Sequence, residues 1–275
     1  MSTTVTRPDE SEVTVPEKSG RTSAGLRRVL PAAGILIAIG LIWEAVSHWF
    51  DVPNYVLPSL DSIWSTGVSS WSGTLASATW VTTEEVVLGF LLSIVIALVI
   101  AFALHSSRVV RNAVYPLLIG SQAVPVVVIA PVLAIIFGYT ITPKLIVVTL
   151  ICFFPIVVNT IDGLASVDPE LLRVMRTLDG NRWATLRRVE APAALPSIFS
   201  GLRIAATYAP IGAVFGEYAG SQNGLGYVMI QAIPQLETAL VFAAIFILTA
   251  EAILLFIAVS VAERIICPWA REGKR

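Results

Sequence analysis

The sequence predicts an all-α membrane protein with about six transmembrane helices, and three observations support this fold class. Hydrophobic residues make up 56% of the 275 positions and charged residues only 13%, and the mean hydropathy is +0.80, far from the composition of an ordinary soluble domain. Apolar windows of about 20 residues, the length that a helix needs to cross a bilayer, recur along the chain. The strict alternation of membrane strands is absent, so helices are the expected spanning elements.

Six apolar windows give the predicted spans. They cover approximately residues 30–46, 85–104, 113–137, 143–163, 196–219 and 239–262. The first window begins too far from Met1 for an ordinary signal peptide, and no small-residue cleavage pattern follows it, so we expect a retained helix. Residues 1–24 are rich in Ser, Thr, Glu and Pro, a composition that predicts a disordered cytoplasmic tail. Residues 25–275 form the predicted membrane domain.

The basic residues predict the orientation, because Lys and Arg accumulate on the cytoplasmic side of short loops. With a cytoplasmic N-terminus, Lys144 is the only one of the 18 Lys and Arg residues on the outer side. We therefore expect both termini in the cytoplasm. The charges are sorted by membrane side and do not indicate binding of nucleic acid.

Prolines inside the third window predict an irregular helix, because proline removes a backbone hydrogen bond and bends or breaks a helix. Pro155 and Pro210 extend this prediction to the fourth and fifth windows. Irregular backbone at membrane depth is tolerated where it packs against protein or lines a water-filled path. The prolines therefore fit two interpretations, a bent structural helix and a translocation path. The candidate path residues are Gln122, Pro125, Asn159 and Glu217.

Charged side chains within the windows need partners, because each costs about 2.5–3.5 kcal/mol on insertion scales. Arg203 and Glu251 differ in predicted depth by about 6 Å at 1.5 Å per residue, which is within the reach of an arginine side chain. We predict that these two residues pair. Glu217 precedes a polar, glycine-rich stretch, residues 220–226, and could face the path, an outer gate or interfacial water.

A charged stretch, residues 168–196, interrupts the apolar chain. A helix-compatible run, residues 170–189, is followed by Pro192 and Pro196. Arginine and tryptophan are enriched among the residues that dominate binding energy at interfaces. The stretch therefore predicts a docking surface between two membrane helices, with a solvated amphipathic loop helix as the alternative. Its arginines are Arg173, Arg176, Arg182, Arg187 and Arg188, and its tryptophan is Trp183.

The sequence carries no motif for catalysis, for a cofactor or for a metal ion. Phosphate-binding loops, nucleophile elbows, His-Glu-x-x-His and Cys-x-x-Cys are absent. Cys152 falls inside a predicted helix and Cys267 near the inner surface, so we expect packing roles for both. Any energy source is therefore expected on another chain.

The charged stretch resembles the cytoplasmic loop shared by ABC importer permeases. The family pattern is Glu-Ala-Ala, three residues, Gly, nine residues, Ile, one residue and Leu-Pro. The matching positions here are Arg173-Val174-Met175, Asp179, Val189 and Ala191-Pro192. Arg173 replaces the acidic residue of the pattern, and the glycine comes one position late as Gly180. The resemblance extends over about residues 30–270.

Further segments resemble the branch of this family that serves the uptake of nitrate, sulfonates, taurine and thiamine precursors. They include Arg182-Trp183, residues 192–196 and Gly201-Leu202-Arg203. Within the branch, Phe153-Phe154-Pro155 and Gly224-Leu225-Gly226-Tyr227 are most similar to permeases that work with hydroxymethylpyrimidine-binding proteins.

The resemblance implies the membrane domain of a type I ABC importer in a bacterial plasma membrane. Two copies of the permease would form the path, cytoplasmic ATPases would bind ATP and Mg²⁺, and an extracytoplasmic binding protein would deliver the substrate. ATP-driven closure would move the loop, residues 164–196, and the membrane helices would rock between outward and inward openings. The loop residues implied in ATPase coupling are Glu170, Arg173, Arg176, Asp179, Gly180, Arg182 and Trp183.

Two other functions stay open at this point. An ion-coupled secondary transporter would act without an ATPase through Glu217, Glu251 or Asp162, and the internal repeats that would favour it are not evident. A membrane scaffold would bind a cytoplasmic partner through the same loop, but a scaffold needs no broken helices.

Overall fold

The computed structural model describes residues 23–49, 53–178 and 181–269. Within these residues every regular element is a helix, which confirms the predicted all-α fold. The predicted disordered tail, residues 1–24, lies outside the described residues except for its last two positions. The α-helices in chain order are α1 Ser23–Trp49, α2 Leu60–Ser70, α3 Ala76–Ser106, α4 Arg108–Ser121, α5 Val126–Phe137, α6 Ile141–Ala165, α7 Pro169–Thr177, α8 Arg182–Thr185, α9 Ala191–Tyr218, α10 Leu225–Ala232 and α11 Thr238–Ile266.

The helices from Pro53 onward form one compact unit, and α1 belongs to a separate one. The apolar part of α1, Ala33–Trp49, is shorter than the roughly 20 residues that a spanning helix needs. Four segments of the described chain are long and apolar enough to cross a membrane, and a fifth span results when α4 and α5 are counted as one bent helix. The sixth span, predicted at residues 30–46, stays a prediction. The four segments are Trp71–Ser106, Ile141–Ala165, Arg182–Tyr218 and Thr238–Ile266.

The third predicted helix is broken, as its prolines indicated. Its two halves, Val109–Ser121 and Val126–Phe137, are bent by 95°. Pro125 has no N–H group to donate to the Ser121 carbonyl, which instead accepts a turn bond from the Val124 N–H at 3.3 Å. The missing N–H group of Pro125 thus accounts for the position of the break, whereas Pro116 and Pro131 lie inside α4 and α5.

The fourth and fifth predicted helices are continuous, so the expected interruptions at Pro155 and Pro210 are wrong. Both prolines lie inside α-helices, α6 and α9 respectively. The fifth helix also begins earlier than its apolar window, at Ala191, and Pro192 lies in its first turn directly after the π-helical turn Leu186–Glu190.

Helix α6 packs against both α3 and α9 and forms the centre of the bundle. A methyl group at Gly201 of α9 would lie 2.7 Å from the Pro155 carbonyl oxygen and 2.8 Å from the Asn159 Cβ of α6. Only a residue without a side chain allows the two helices to approach this closely, as small residues do at membrane helix contacts.

The bundle has two ends. At the first, which we call the Glu190 end, α3, α6 and α11 finish and α9 begins. At the second, the Glu217 end, α9 finishes and α3, α6 and α11 begin. The segment between α6 and α9 therefore lies at the Glu190 end, and the loop between α9 and α10 lies at the Glu217 end.

Candidate functional site

The segment between α6 and α9, residues 166–190, is called the loop segment below. The Asp168 carboxylate accepts a hydrogen bond from the backbone N–H of Glu170 at 2.8 Å, at the start of α7. The Asn181 side-chain oxygen accepts one from the Ala184 N–H at 2.7 Å, at the start of α8. Such caps satisfy N–H groups that have no partner within a helix. The sequence of the loop segment therefore specifies two short helices.

The loop segment exposes a charged and aromatic face. Trp183 is 68% exposed, and three apolar side chains in and after α7, Leu171, Val174 and Leu178, are more than half exposed. Exposed apolar side chains rimmed by charges mark protein interaction sites. Of the predicted coupling residues, those with exposed side chains are Glu170, Arg173, Arg182 and Trp183.

Three predicted coupling residues cannot be placed on this face. Asp179 and Gly180 lie outside the described residues, and so does the side chain of Arg176. The remaining four belong to α7 and α8. The structure therefore places four of the seven on the loop segment with exposed side chains.

The loop segment is attached to the end of α3 by two polar contacts. The His105 Nε2 lies 3.0 Å from a carboxylate oxygen of Glu190, and the Arg182 Nη2 donates a hydrogen bond to the Ser106 carbonyl at 3.1 Å. These residues and Trp183 line a groove of ≈ 440 Å³ between α3 and the loop segment. A force on α8 would therefore reach α3.

The loop segment is also continuous with α9. Helix α8 passes through a π-helical turn, Leu186–Glu190, directly into α9, and the whole run from Arg182 to Tyr218 forms one helical segment. Single π-turns inside α-helices are frequent at functional sites. Displacement of Trp183 would thus move a helix that crosses the membrane.

A second polar site lies at the Glu217 end, where three helices meet the loop between α9 and α10. Lys144 of α6 donates a hydrogen bond to Glu85 of α3 at 2.6 Å and another to the Ser221 hydroxyl at 2.7 Å. Thr82 of α3 donates to Glu217 of α9 at 2.6 Å. We call this set of five side chains the polar cluster.

The loop between α9 and α10 is fitted tightly to the polar cluster. The Gly226 N–H donates to Glu217 Oε2, and the Leu225 N–H donates to the Thr82 hydroxyl at 2.8 Å. Gly224 has φ +114°, and a methyl group there would overlap the Glu217 carboxyl group. Only glycine combines this backbone conformation with so close an approach.

The predicted path residues are not brought together. Gln122 and Pro125 are exposed at the break between α4 and α5. Asn159 donates to the Pro155 carbonyl of its own helix at 2.8 Å. Glu217 is 1% exposed, so this carboxylate faces the loop between α9 and α10, and neither interfacial water nor an open path surrounds it.

The predicted pair of Arg203 with Glu251 is wrong. Arg203 forms an ion pair with Glu263 of α11 and donates to the Ser200 hydroxyl at 2.9 Å, whereas Glu251 accepts a hydrogen bond from Thr83 at 2.7 Å. The apolar window ended at residue 262, but α11 continues to Ile266. The ion pair places Glu263 at the depth of Arg203, and Glu251, twelve residues earlier in α11, lies about 18 Å from Glu263 along the helix axis.

The polar cluster was not predicted, although the sequence holds a signal for it. Glu85 is the first residue of the second apolar window, Lys144 is the second residue of the fourth, and Glu217 is two residues from the end of the fifth. Alternating helix directions bring these three positions to the same end of a bundle. Ionisable residues at matching window ends therefore predict a cluster.

The fold and the two sites define a multi-pass membrane protein with an exposed, charged loop segment at one end of its helix bundle. Residues 89–272 match the family described as binding-protein-dependent transport system inner membrane component. The chain belongs to this family. It is the permease subunit of an ATP-driven ABC importer with a type I membrane domain, which confirms the importer prediction and gives no support to the secondary transporter.

Three relatives show the branch of the family. The formylaminopyrimidine transport permease protein ThiX of Halalkalibacterium halodurans is 36% identical over 232 residues, covering 84% of this chain and 92% of that protein. The riboflavin transport system permease protein RibX of Chloroflexus aurantiacus is 33% identical over 246 residues, covering 87% and 91%. The putative aliphatic sulfonates transport permease protein SsuC of Bacillus subtilis is 30% identical over 263 residues, covering 95% and 94%.

Proposed function

We propose that the loop segment is the docking site of a cytoplasmic ABC ATPase, and that two identical copies of this permease form the path. ATP and Mg²⁺ bind to the ATPase. In this arrangement the Glu190 end and both termini face the cytoplasm, and an extracytoplasmic binding protein docks at the Glu217 end. The basic residues of the loop segment support this orientation, because Arg and Lys accumulate on the cytoplasmic side.

The observation that carries the proposal is the exposure of Trp183 on a helix that is continuous with α9. A tryptophan that is 68% exposed offers a large apolar surface for a partner, and the π-helical turn links it to a spanning helix. The contacts of His105 with Glu190 and of Arg182 with Ser106 attach the same segment to α3. Docking at this face would therefore move two spanning helices together.

Copurification from gently solubilised membranes tests the docking site. Trp183→Ala removes the exposed side chain, and loss of an interface hot spot of about 2 kcal/mol weakens binding roughly 30-fold. We expect an ATPase to copurify with the wild-type chain and to be lost from the variant. Trp80→Ala is the matched control, because Trp80 is 73% exposed but lies at the Glu217 end.

Two results would contradict the proposed docking site. Retention of the ATPase by Trp183→Ala at the wild-type level would show that this face is not the contact. Equal loss from Trp183→Ala and Trp80→Ala would show a general effect of removing exposed tryptophans from the membrane domain.

The break between α4 and α5 is the proposed lining of the path. Gln122 and Pro125 are exposed there, and the turn bonds at the break leave the backbone irregular at a depth where it must meet protein or water. In a dimer such a surface would be covered by the second copy or would line the path. Asn159 remains a candidate at the contact of α6 with α9, whereas Glu217 does not.

We infer that the substrate is a nitrogen heterocycle of the pyrimidine type. Two of the relatives are named for transport of formylaminopyrimidine and riboflavin. The third is named for aliphatic sulfonates, which makes a sulfonate the competing class. Uptake by proteoliposomes that contain the copurified complex and its binding protein distinguishes the two. ATP-dependent accumulation of labelled hydroxymethylpyrimidine is expected, and accumulation of labelled taurine instead would contradict the inference.

A further inference from the structure

Two buried carboxyl groups and one ammonium group meet in the polar cluster. Glu85 is 2% exposed and Glu217 is 1% exposed, and their carboxyl groups lie within hydrogen-bonding reach of each other. Lys144 is the cation that contacts Glu85. With both carboxyl groups ionised, two negative charges would face one positive charge inside a membrane span, and an unbalanced buried charge is costly.

Glu217 has the surroundings of an ionised carboxylate. Its Oε1 accepts a hydrogen bond from the Thr82 hydroxyl, and its Oε2 accepts one from the Gly226 N–H. The Thr82 oxygen already accepts from the Leu225 N–H, so the single hydroxyl hydrogen is free to point at Glu217. Donors directed at both oxygens favour the charged form of a carboxyl group.

Glu85 has different surroundings. Its Oε1 accepts a hydrogen bond from Lys144, but its Oε2 is buried and no donor reaches it. A buried polar atom without a hydrogen-bond partner destabilises the folded chain. The Glu217 carboxylate lies within hydrogen-bonding reach of the Glu85 carboxyl group and is itself an acceptor. A hydrogen bond between them therefore requires a proton.

We propose that Glu85 is a neutral carboxylic acid whose proton resides on Oε2 and is donated in a hydrogen bond to the Glu217 carboxylate. The polar cluster then holds one negative and one positive charge, on Glu217 and Lys144. Every carboxyl oxygen of the pair gains a partner. The two glutamates thus form a proton-binding site that the family relationship does not require.

The bound proton has a structural consequence, because the loop between α9 and α10 is attached to the bundle through these two carboxyl groups. Glu217 accepts a hydrogen bond from the Gly226 N–H. Glu85 accepts one from Lys144, which also donates a hydrogen bond to Ser221. Other ionisable groups near Glu217 are Tyr218 of α9 and Glu251 of α11. Loss of the proton would set two carboxylates against each other and loosen the loop from α3.

Infrared spectroscopy of the purified full-length chain in nanodiscs detects the proton directly. A protonated carboxyl group gives a C=O stretch separate from that of a carboxylate, and the stretch shifts in D₂O. We expect this band in the wild type at neutral pH, with a component that is lost in Glu85→Gln and retained in Glu251→Gln. The Glu251 variant is the matched control, because that carboxyl group also has a buried oxygen without a donor.

The same proposal predicts unequal effects of two isosteric variants. The amide of Glu85→Gln donates to Glu217 and accepts from Lys144, as the neutral acid does, so the melting temperature should stay at the wild-type value. In Glu217→Gln an N–H₂ group faces the Thr82 hydroxyl or the Gly226 N–H, which are both donors to Glu217. The melting temperature should therefore fall, and protease should cut the loop between α9 and α10.

Three results would overturn the inference. The first is the absence of any carboxylic acid band that depends on Glu85. The second is a Glu85→Gln chain that fails to fold, because an amide should replace a neutral acid. The third is a Glu217→Gln chain as stable as Glu85→Gln, because the two variants differ only if the proton belongs to Glu85. None of these measurements requires the ATPase, so they stand apart from the docking proposal.

Discussion

The Arg203 guanidinium of α9 and the Glu263 carboxylate of α11 form an ion pair at the Glu190 end of the bundle. Both side chains are partly buried, at 26% and 21% exposed, and Arg203 is held further by the Ser200 hydroxyl. Helix α11 has few buried residues along its length, so this pair is a specific contact that fixes α11 against α9.

Charge reversal tests the pair. Arg203→Glu should lower the free energy of unfolding in detergent by about 1.5–3 kcal/mol, the range for hydrogen bonds to charged groups, because it removes the ion pair and sets two carboxylates together. The double variant Arg203→Glu with Glu263→Arg should recover most of this loss. Arg203→Glu with Glu251→Arg is the control, and equal recovery there would contradict the observed partner.

The contact of His105 with Glu190 gives a prediction about coupling, and it rests on the proposed ATPase docking. His105→Ala removes the contact between α3 and the loop segment without touching Trp183 or the exposed face. We expect the ATPase to bind and hydrolyse ATP as before. The amount of substrate transported per ATP should fall about 5-fold, as loss of a contact worth about 1 kcal/mol would give.

His48→Ala is the control for this measurement, because His48 lies in α1. A parallel fall in ATP hydrolysis and transport for His105→Ala would contradict a role in transmission, since it would indicate weaker docking. Unchanged transport would show that the continuous connection from α8 into α9 is sufficient to transmit movement of the loop segment.

The close approach of α6 and α9 at Gly201 gives a prediction about stability. Gly201→Ala inserts a methyl group against the Pro155 carbonyl and the Asn159 side chain. Forcing extra atoms into a packed contact costs about 1–3 kcal/mol, and the melting temperature in detergent should fall accordingly. Gly120→Ala in α4 is the matched control, because nothing lies within 4 Å of its Cβ position, and a similar fall there would contradict the packing argument.

Much of the fold could be predicted from the sequence, because each spanning helix has to be apolar along its length. The spans follow from this rule, and the irregular third helix follows from its prolines, although the sequence does not distinguish Pro125, where the helix breaks, from Pro116 and Pro131, where it does not. The effect of Pro155 could not be predicted, since a continuous helix and a broken one contain the same proline. Neighbouring helices decide between them.

Partners across the bundle were harder to predict than the helices. An apolar window ends where charged residues begin, so the window that ended at residue 262 excluded Glu263. Glu251 was then the acidic residue predicted to pair with Arg203. The polar cluster was missed for the same reason, since Glu85 and Lys144 were treated as the limits of windows. The exposure of Trp183 agrees with the expected interface. A side chain that binds a partner stays at the surface of its own chain and does not pack into the core.

The orientation of the chain gives the last prediction. Arg173 is exposed on the loop segment and Gln222 is exposed on the loop at the Glu217 end, so a cysteine at either position should react with a membrane-impermeant maleimide from one side only. The native thiols provide a silent background. Cys152 is fully buried and Cys267 is 2% exposed, and burial raises the pKa of the Cys267 thiol, which disfavours the reactive thiolate.

Arg173→Cys should be labelled in inverted membrane vesicles and protected in right-side-out vesicles, and Gln222→Cys should show the reverse. The two variants are controls for each other, because a leaky preparation would label both. The expectation follows from the cytoplasmic preference of the arginines in the loop segment. Labelling of Arg173→Cys from the outside would place the loop segment where no ATPase can reach it, and the proposed docking site would then have to be given up together with the orientation.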